Sequence, residues 1–210
     1  MRLLRRRQPP PTDSRHESGL SVVEGYPLPE NKKERMVLQM KYYLAYGSNL
    51  SVEQMLRRCP DAVYVGTGEI KNYRLLFKGS QTGSYLTIEP KKGRKVPVLV
   101  WKVSDEDEEA LDLYEGYPRF YQKEEIGIEV KSLIDDEPIG TVQAFIYMMD
   151  PSRPLGKPSN LYFDVCLEGY EHFGFDPSIL DRAYSESCGS RRQPRKIDWS
   201  RMELIGGSKR

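Results

Sequence analysis

The 210-residue sequence predicts an α+β domain, in which a curved mixed sheet or small barrel carries helices at its rim. Two patterns point there. β-prone segments dominate the middle of the chain, and helix signals occur singly between them, each with its own start and stop residues. A third observation sets the limits of the domain. Both ends are polar, so the buriable residues lie within about 40–188.

Residues 1–39 read as an extension. Arg5-Arg6-Arg7, Pro9-Pro10-Pro11 and Lys32-Lys33-Glu34-Arg35 leave little to bury. Met40-Lys41-Tyr42 is a natural start for a compact domain, and Met1, Met36 and Met40 all remain open as translation starts. The first strand is Tyr42 to Tyr46, a short aromatic and apolar run. Turn residues Gly47, Ser48 and Asn49 follow at once. Ser51 then reads as an N-cap with Gln54 three residues on, Val52, Met55 and Leu56 give an apolar face, and Pro60 stops the helix.

Four strand segments come next: Ala62 to Glu69, Tyr73 to Phe77, Ser84 to Glu89 and Val96 to Val103. Turns are expected at Gly79 to Gly83 and at Lys91 to Arg94. Ser104 and Asp107 have the spacing of a capping box. Asp105 to Glu109 put negative charge on the positive end of the helix dipole, which accounts for that acidic cluster without a metal. Leu111 and Tyr114 share a face, and Gly116 is the stop. Tyr121 to Val130 and Thr141 to Met148 are further strands around an Asp135-Asp136-Glu137-Pro138 turn. Beyond the loop 151–158, helices are expected over Leu161 to Phe173 and from Asp176-Pro177 to Glu186. Residues 189–210 form a basic tail.

Composition excludes several classes. With 32 basic and 31 acidic residues, net charge gives no case for nucleic acid or a membrane surface. No apolar run reaches the roughly 18 residues of a membrane span. Cys59, Cys166 and Cys188 have neither metal-ligand spacing nor a disulfide framework, which suits a reducing cytoplasm. The chain therefore reads as soluble and cytoplasmic; its oligomeric state is open.

Two stretches carry chemistry. Gly47-Ser48-Asn49 links a strand to a helix start, where free backbone N–H groups converge on one spot suited to a carboxylate or phosphate. A simple sharp turn fits the same residues. Glu115 closes a helix, where the dipole disfavours a negative charge, and has tyrosines and a proline nearby. Both effects push its pKa up towards the range of a general acid/base. An ordinary solvated helix end also fits.

Tyr46-Gly47-Ser48-Asn49-Leu50 at the end of the first strand resembles the signature of the gamma-glutamylcyclotransferase-like superfamily. Tyr114-Glu115-Gly116-Tyr117-Pro118 resembles that superfamily's acid/base segment in its bacterial, butirosin-biosynthesis form. Pro158-Ser159-Asn160-Leu161-Tyr162 resembles a third segment, whose tyrosine lines the substrate pocket. The resemblance covers about residues 41–187. Asn49 departs from the glutathione-degrading branch, which has another residue after Gly-Ser.

The resemblance implies a closed barrel and an enzyme that converts a γ-glutamyl amino acid or amine to 5-oxoproline with release of the amine. It implies Glu115 as the catalytic residue. Tyr46, Gly47, Ser48, Asn49, Leu50 and Tyr162 are the implied substrate contacts, with no metal or cofactor. The alternative is a non-catalytic small-ligand-binding module of the same fold.

Overall fold

The structure, a computed structural model, describes residues 40–80, 83–190 and 192. The expected extension 1–39 and most of the expected basic tail lie outside the described residues.

Strand β1 (Lys41–Ala45) runs into a single 3₁₀ turn (Ser48–Leu50) and helix α1 (Val52–Arg58). Strands β2 (Val63–Ser80) and β3 (Gly83–Val103) follow, then helix α2 (Asp105–Glu115). Strands β4 (Tyr121–Lys131) and β5 (Pro138–Met149) precede helices α3 (Asn160–His172) and α4 (Ser178–Cys188).

The five strands close into a barrel in the order β1-β3-β2-β4-β5. Neighbours are antiparallel except where β5 returns to β1 in parallel, with Tyr42 opposite Ala144 and Tyr43 opposite Phe145. That pairing joins the two ends of the sheet, so no edge is left along β1. Leu44, Phe77, Leu86, Leu99, Trp101 and Ile146 fill the core.

The segments expected as four separate strands form two long ones. The turn expected at Lys91 to Arg94 is instead a bulge: Lys71 pairs with Lys95 and Tyr73 with Pro90, so Asn72 alone opposes residues 91–94. Asn72 (φ 63°) and Gly93 (φ 79°) take left-handed conformations there. The Gly93 N–H donates to Asn72 Oδ1 at 3.0 Å, which closes the bulge. Turn-forming residues thus bend a ribbon rather than reverse it. Further along, Ser80 pairs with Gly83.

The helix ends follow their side chains. Ser51 Oγ accepts from Gln54 N at 3.4 Å, and Ser159 Oγ from Tyr162 N at 3.1 Å. Asp176 Oδ1 accepts from Ser178 N at 2.9 Å, two residues ahead of the start of α4.

Helix α2 carries the capping box. Ser104 Oγ accepts from Asp107 N at 3.1 Å, and Asp107 Oδ2 accepts from Ser104 N at 3.3 Å. Gly116 ends the helix in a left-handed conformation (φ 66°), and Tyr117 N donates back to Asp112 O at 2.9 Å. Leu111 is buried, but Tyr114 is 48 % exposed and leaves the core face. The reason is a guanidinium rather than the core: Arg58 lies 3.3 Å from the centre of its ring.

Ser104 and Asp107 are buried, so loss of the cap leaves buried polar groups without partners. Ser104→Ala is expected to lower stability by about 1–2 kcal/mol in urea titrations at unchanged m-value. An effect within error would show that α2 is held by packing alone.

Candidate active site

The end of β1, the end of α2 and the first turn of α3 meet at the mouth of the barrel. Tyr46, Gly47, Ser48 and Asn49 come from the loop after β1, Glu115 is the last residue of α2, and Tyr162 stands in the first turn of α3. They line one pit of about 30 Å³ together with Tyr43, Leu86, Tyr121 and Tyr147. An outer cleft of about 310 Å³ shares Ser48, Glu115, Tyr121 and Tyr162 with the pit and adds Tyr85, Tyr114, Gly116 and Phe120. Glu115 therefore stands where a small inner space opens into a larger aromatic one.

The Glu115 carboxyl is shaped by its surroundings. Asn49 Nδ2 donates to Glu115 Oε1 at 2.9 Å and to the Tyr43 hydroxyl at 2.7 Å. Burial dominates the electrostatics and pushes Glu115 up to about 7; the Arg58 charge and the Asn49 hydrogen bond pull the other way without cancelling it. A group poised there can both accept and return a proton at neutral pH.

The tyrosines are fixed by backbone and side-chain bonds. The Tyr46 hydroxyl donates to Tyr147 O at 2.6 Å, and the Tyr121 hydroxyl to Leu86 O at 2.7 Å. Leu86 N donates to the Tyr162 hydroxyl at 3.1 Å, and the Tyr147 hydroxyl donates to Asp112 at 2.6 Å. Burial raises the pKa of all four phenols, so they are neutral at the working pH.

The glycine loop has its own geometry. Leu50 N donates to Gly47 O and Ser51 N to Ser48 O, both at 3.0 Å. The N–H groups of Gly47, Ser48 and Asn49 have no protein acceptor among the described residues, as expected for a first turn. Gly47 has φ −125°, so a left-handed conformation is not what requires glycine. Close approach is the reason: a Cβ there would lie 3.2 Å from the Tyr162 hydroxyl.

Of the residues expected as substrate contacts, Leu50 alone lies off the pit, while Asn49 lines it with its side-chain amide engaged by protein. Leu50 is 1 % exposed and lies outside the pit. It presses on Gly169 of α3, where an added Cβ would come within 2.5 Å of it, so it seats the loop on the helix. Asn49 is buried with its amide spent on Glu115 and Tyr43. Tyr43, Leu86, Tyr121 and Tyr147 escaped sequence reasoning. They sit on separate strands and converge only through barrel closure; tyrosine enrichment of the chain was the one available signal.

A family model described as gamma-glutamyl cyclotransferase, AIG2-like, matches residues 43–163. The chain is 36 % identical over 139 residues to a gamma-glutamylcyclotransferase of Homo sapiens, an alignment covering 63 % of this chain and 71 % of that protein. It is also 36 % identical over 81 residues to one of Bos taurus, covering 35 % of this chain and 43 % of the bovine length. A solved structure named gamma-glutamyl cyclotransferase superposes with a TM-score of 0.60 at 22 % identity, covering 80 % of this chain and 98 % of the other. That likeness carries the fold, a closed mixed barrel with helices at its rim.

If the loop amides grip an anion, Gly47→Val should weaken 5-oxoproline binding by about tenfold or more, because its methyl groups intrude between Tyr162 and Leu86. Calorimetric titration of the folded variant checks this. Unchanged affinity would remove the loop from the binding site.

Proposed function

The chain belongs to the gamma-glutamyl cyclotransferase, AIG2-like family, and on that premise we propose that it cyclises the γ-glutamyl group of a γ-glutamyl amino acid or amine to 5-oxoproline and releases the amine. The single observation that supports this most is the Glu115 carboxyl, buried beside the glycine loop with its pKa raised to about 7.

The reaction is intramolecular. Ionised Glu115 takes one proton from the substrate's α-ammonium group. The freed amine attacks the γ-carbonyl carbon, and a C–N bond closes the five-membered ring. The carbonyl electron pair moves to oxygen, giving a tetrahedral oxyanion. Glu115 then returns its proton to the leaving nitrogen, the oxyanion collapses and the original C–N bond breaks. The ring nitrogen, cationic after the attack, passes its surplus proton through Glu115 or solvent to the released amine, which departs as an ammonium ion. Atoms and charge balance, and the carboxylate is regenerated.

The nucleophile belongs to the substrate, so no activated serine or cysteine is required. The N–H groups of Gly47, Ser48 and Asn49 hold the α-carboxylate or the developing oxyanion. Neutral tyrosines close off water, and the narrow pit folds the substrate so that amine and carbonyl meet. The outer cleft receives the leaving group.

The binding-module alternative is not favoured. Burying an ionisable carboxyl at neutral pH costs free energy that an inert ligand pocket has no use for. No helix among the described residues is long and apolar enough to cross a membrane. A cytoplasmic location belongs to the same proposal and is supported by the free thiols of Cys59, Cys166 and Cys188. A panel of γ-glutamyl amino acids, polyamines and aminoglycoside-type amines, followed by 5-oxoproline release, identifies the leaving group. It also tests the butirosin-type branch.

Glu115→Gln keeps size and shape but accepts no proton. Turnover on the best panel substrate should fall by at least about a hundredfold while 5-oxoproline still binds. In the native chain, kcat/KM should fall as pH drops below about 7, where Glu115 becomes protonated. Near-normal turnover by Glu115→Gln would return this glutamate to a structural role.

A further inference from the structure

Arg58 ends helix α1 and lies outside the lining of both the pit and the outer cleft. It is nevertheless joined to Glu115 through one residue. Its Nη1 donates to Asn49 Oδ1 at 2.5 Å, and the Asn49 amide on its other side donates to Glu115 Oε1 at 2.9 Å. The guanidinium carbon lies over the Tyr114 ring, 3.3 Å from its centre, and Tyr114 is the neighbour of Glu115 in α2. The cation is thus clamped by the helix that carries the carboxylate.

The chemistry of the link is directional. A side-chain amide has a donor end and an acceptor end and can be turned over in place. Tyr43 can serve either end, because a hydroxyl both donates and accepts. Glu115 can too, since a protonated carboxyl donates and an ionised one accepts. Arg58 is the partner with no choice: a guanidinium only donates and does not lose its proton. It therefore holds the Asn49 oxygen towards α1, and so turns the NH₂ towards Glu115.

From this we infer that Arg58 is a positioning residue for the reaction: through Asn49 it fixes which end of the amide faces Glu115, and so keeps that carboxylate oriented as a proton acceptor. The inference rests on the reading of Glu115 as the acid/base. Without Arg58, the amide is free to present its oxygen to Glu115, which favours the protonated acid.

The other titratable groups facing Glu115 do not replace Arg58. Tyr43 on β1, Tyr46 in the loop after it, Tyr121 on β4, Tyr147 on β5 and Tyr162 on α3 all have pKa values raised by burial and stay neutral. Among the described residues, Arg58 is the one cation that acts on Glu115.

The test compares the full-length chain with Arg58→Met and Arg58→Lys. One readout is the titration midpoint of the Glu115 carboxyl by ¹³C NMR, which needs no substrate. The other is kcat and KM against pH on the panel substrate. Arg58→Met should raise the midpoint, and with it the acid limb of kcat/KM, by about one pH unit. It should lower kcat by about tenfold or more and leave KM nearly unchanged. Arg58→Lys, a donor-only cation, should keep the midpoint nearer the native one. Should Arg58→Met fail to fold, Arg58→Gln serves instead, because it can face Asn49 with its acceptor end.

A merely structural arginine would lower the melting temperature and leave the midpoint where it was, and that result overturns the inference. With Glu115→Gln inactive, an unmoved midpoint sinks the role of Arg58 alone. With Glu115→Gln active, the acid/base reading fails whatever Arg58 does.

Discussion

Holding one carboxyl out of water beside an amide is the constraint on which the site depends. A buried carboxylate loses hydration that it recovers only in part from Asn49 and the nearby Arg58 charge. That imbalance is what lifts Glu115 to about 7. Full pairing would leave it a permanent anion, and no pairing would leave it a permanent acid. The intermediate state is what the proposed reaction asks of Glu115, which on that reading takes a proton from an amine and gives it back within a cycle.

The rest of the fold maintains that state. The capping box at Ser104 and the left-handed Gly116 fix both ends of α2 and hence the place of its last residue. Leu50 on Gly169 seats the glycine loop, and with it Asn49, on the helix that carries Tyr162. The parallel closure of β5 on β1 brings Tyr147 beside Tyr43, with ring centres 5.8 Å apart. These contacts are local, yet each fixes one wall of the pit. Catalysis by proximity needs such rigidity, since errors on the order of 1 Å cost about a hundredfold.

Much of this was legible in the residues, where the signal was local. Ser51, Ser104 with Asp107, and Gly116 mark helix ends by chemistry that acts within four residues. The place of Glu115 at a helix end was legible because that end and its aromatic neighbours are adjacent in sequence. The bulge opposite Asn72 was not. Lys91 to Arg94 have turn composition, and only the pairing of Pro90 and Lys95 with β2 shows that the chain continues. Tyr43, Tyr121 and Tyr147 were silent for a related reason: their convergence is a product of barrel closure, which no local pattern encodes. Leu50 misled because its motif neighbours line the pit while its own side chain turns to α3.

The most direct measurement is the ionisation of Glu115 itself in the ligand-free protein. Glutamate labelled with ¹³C at the side-chain carboxyl, with the resonance assigned by its loss in Glu115→Gln, gives the titration curve. The account predicts a midpoint near 7, well above the roughly 4.3 of a solvated glutamate. A midpoint close to the solvated value would contradict it, because such a carboxylate is neither desolvated nor matched to the proton transfers assigned to it.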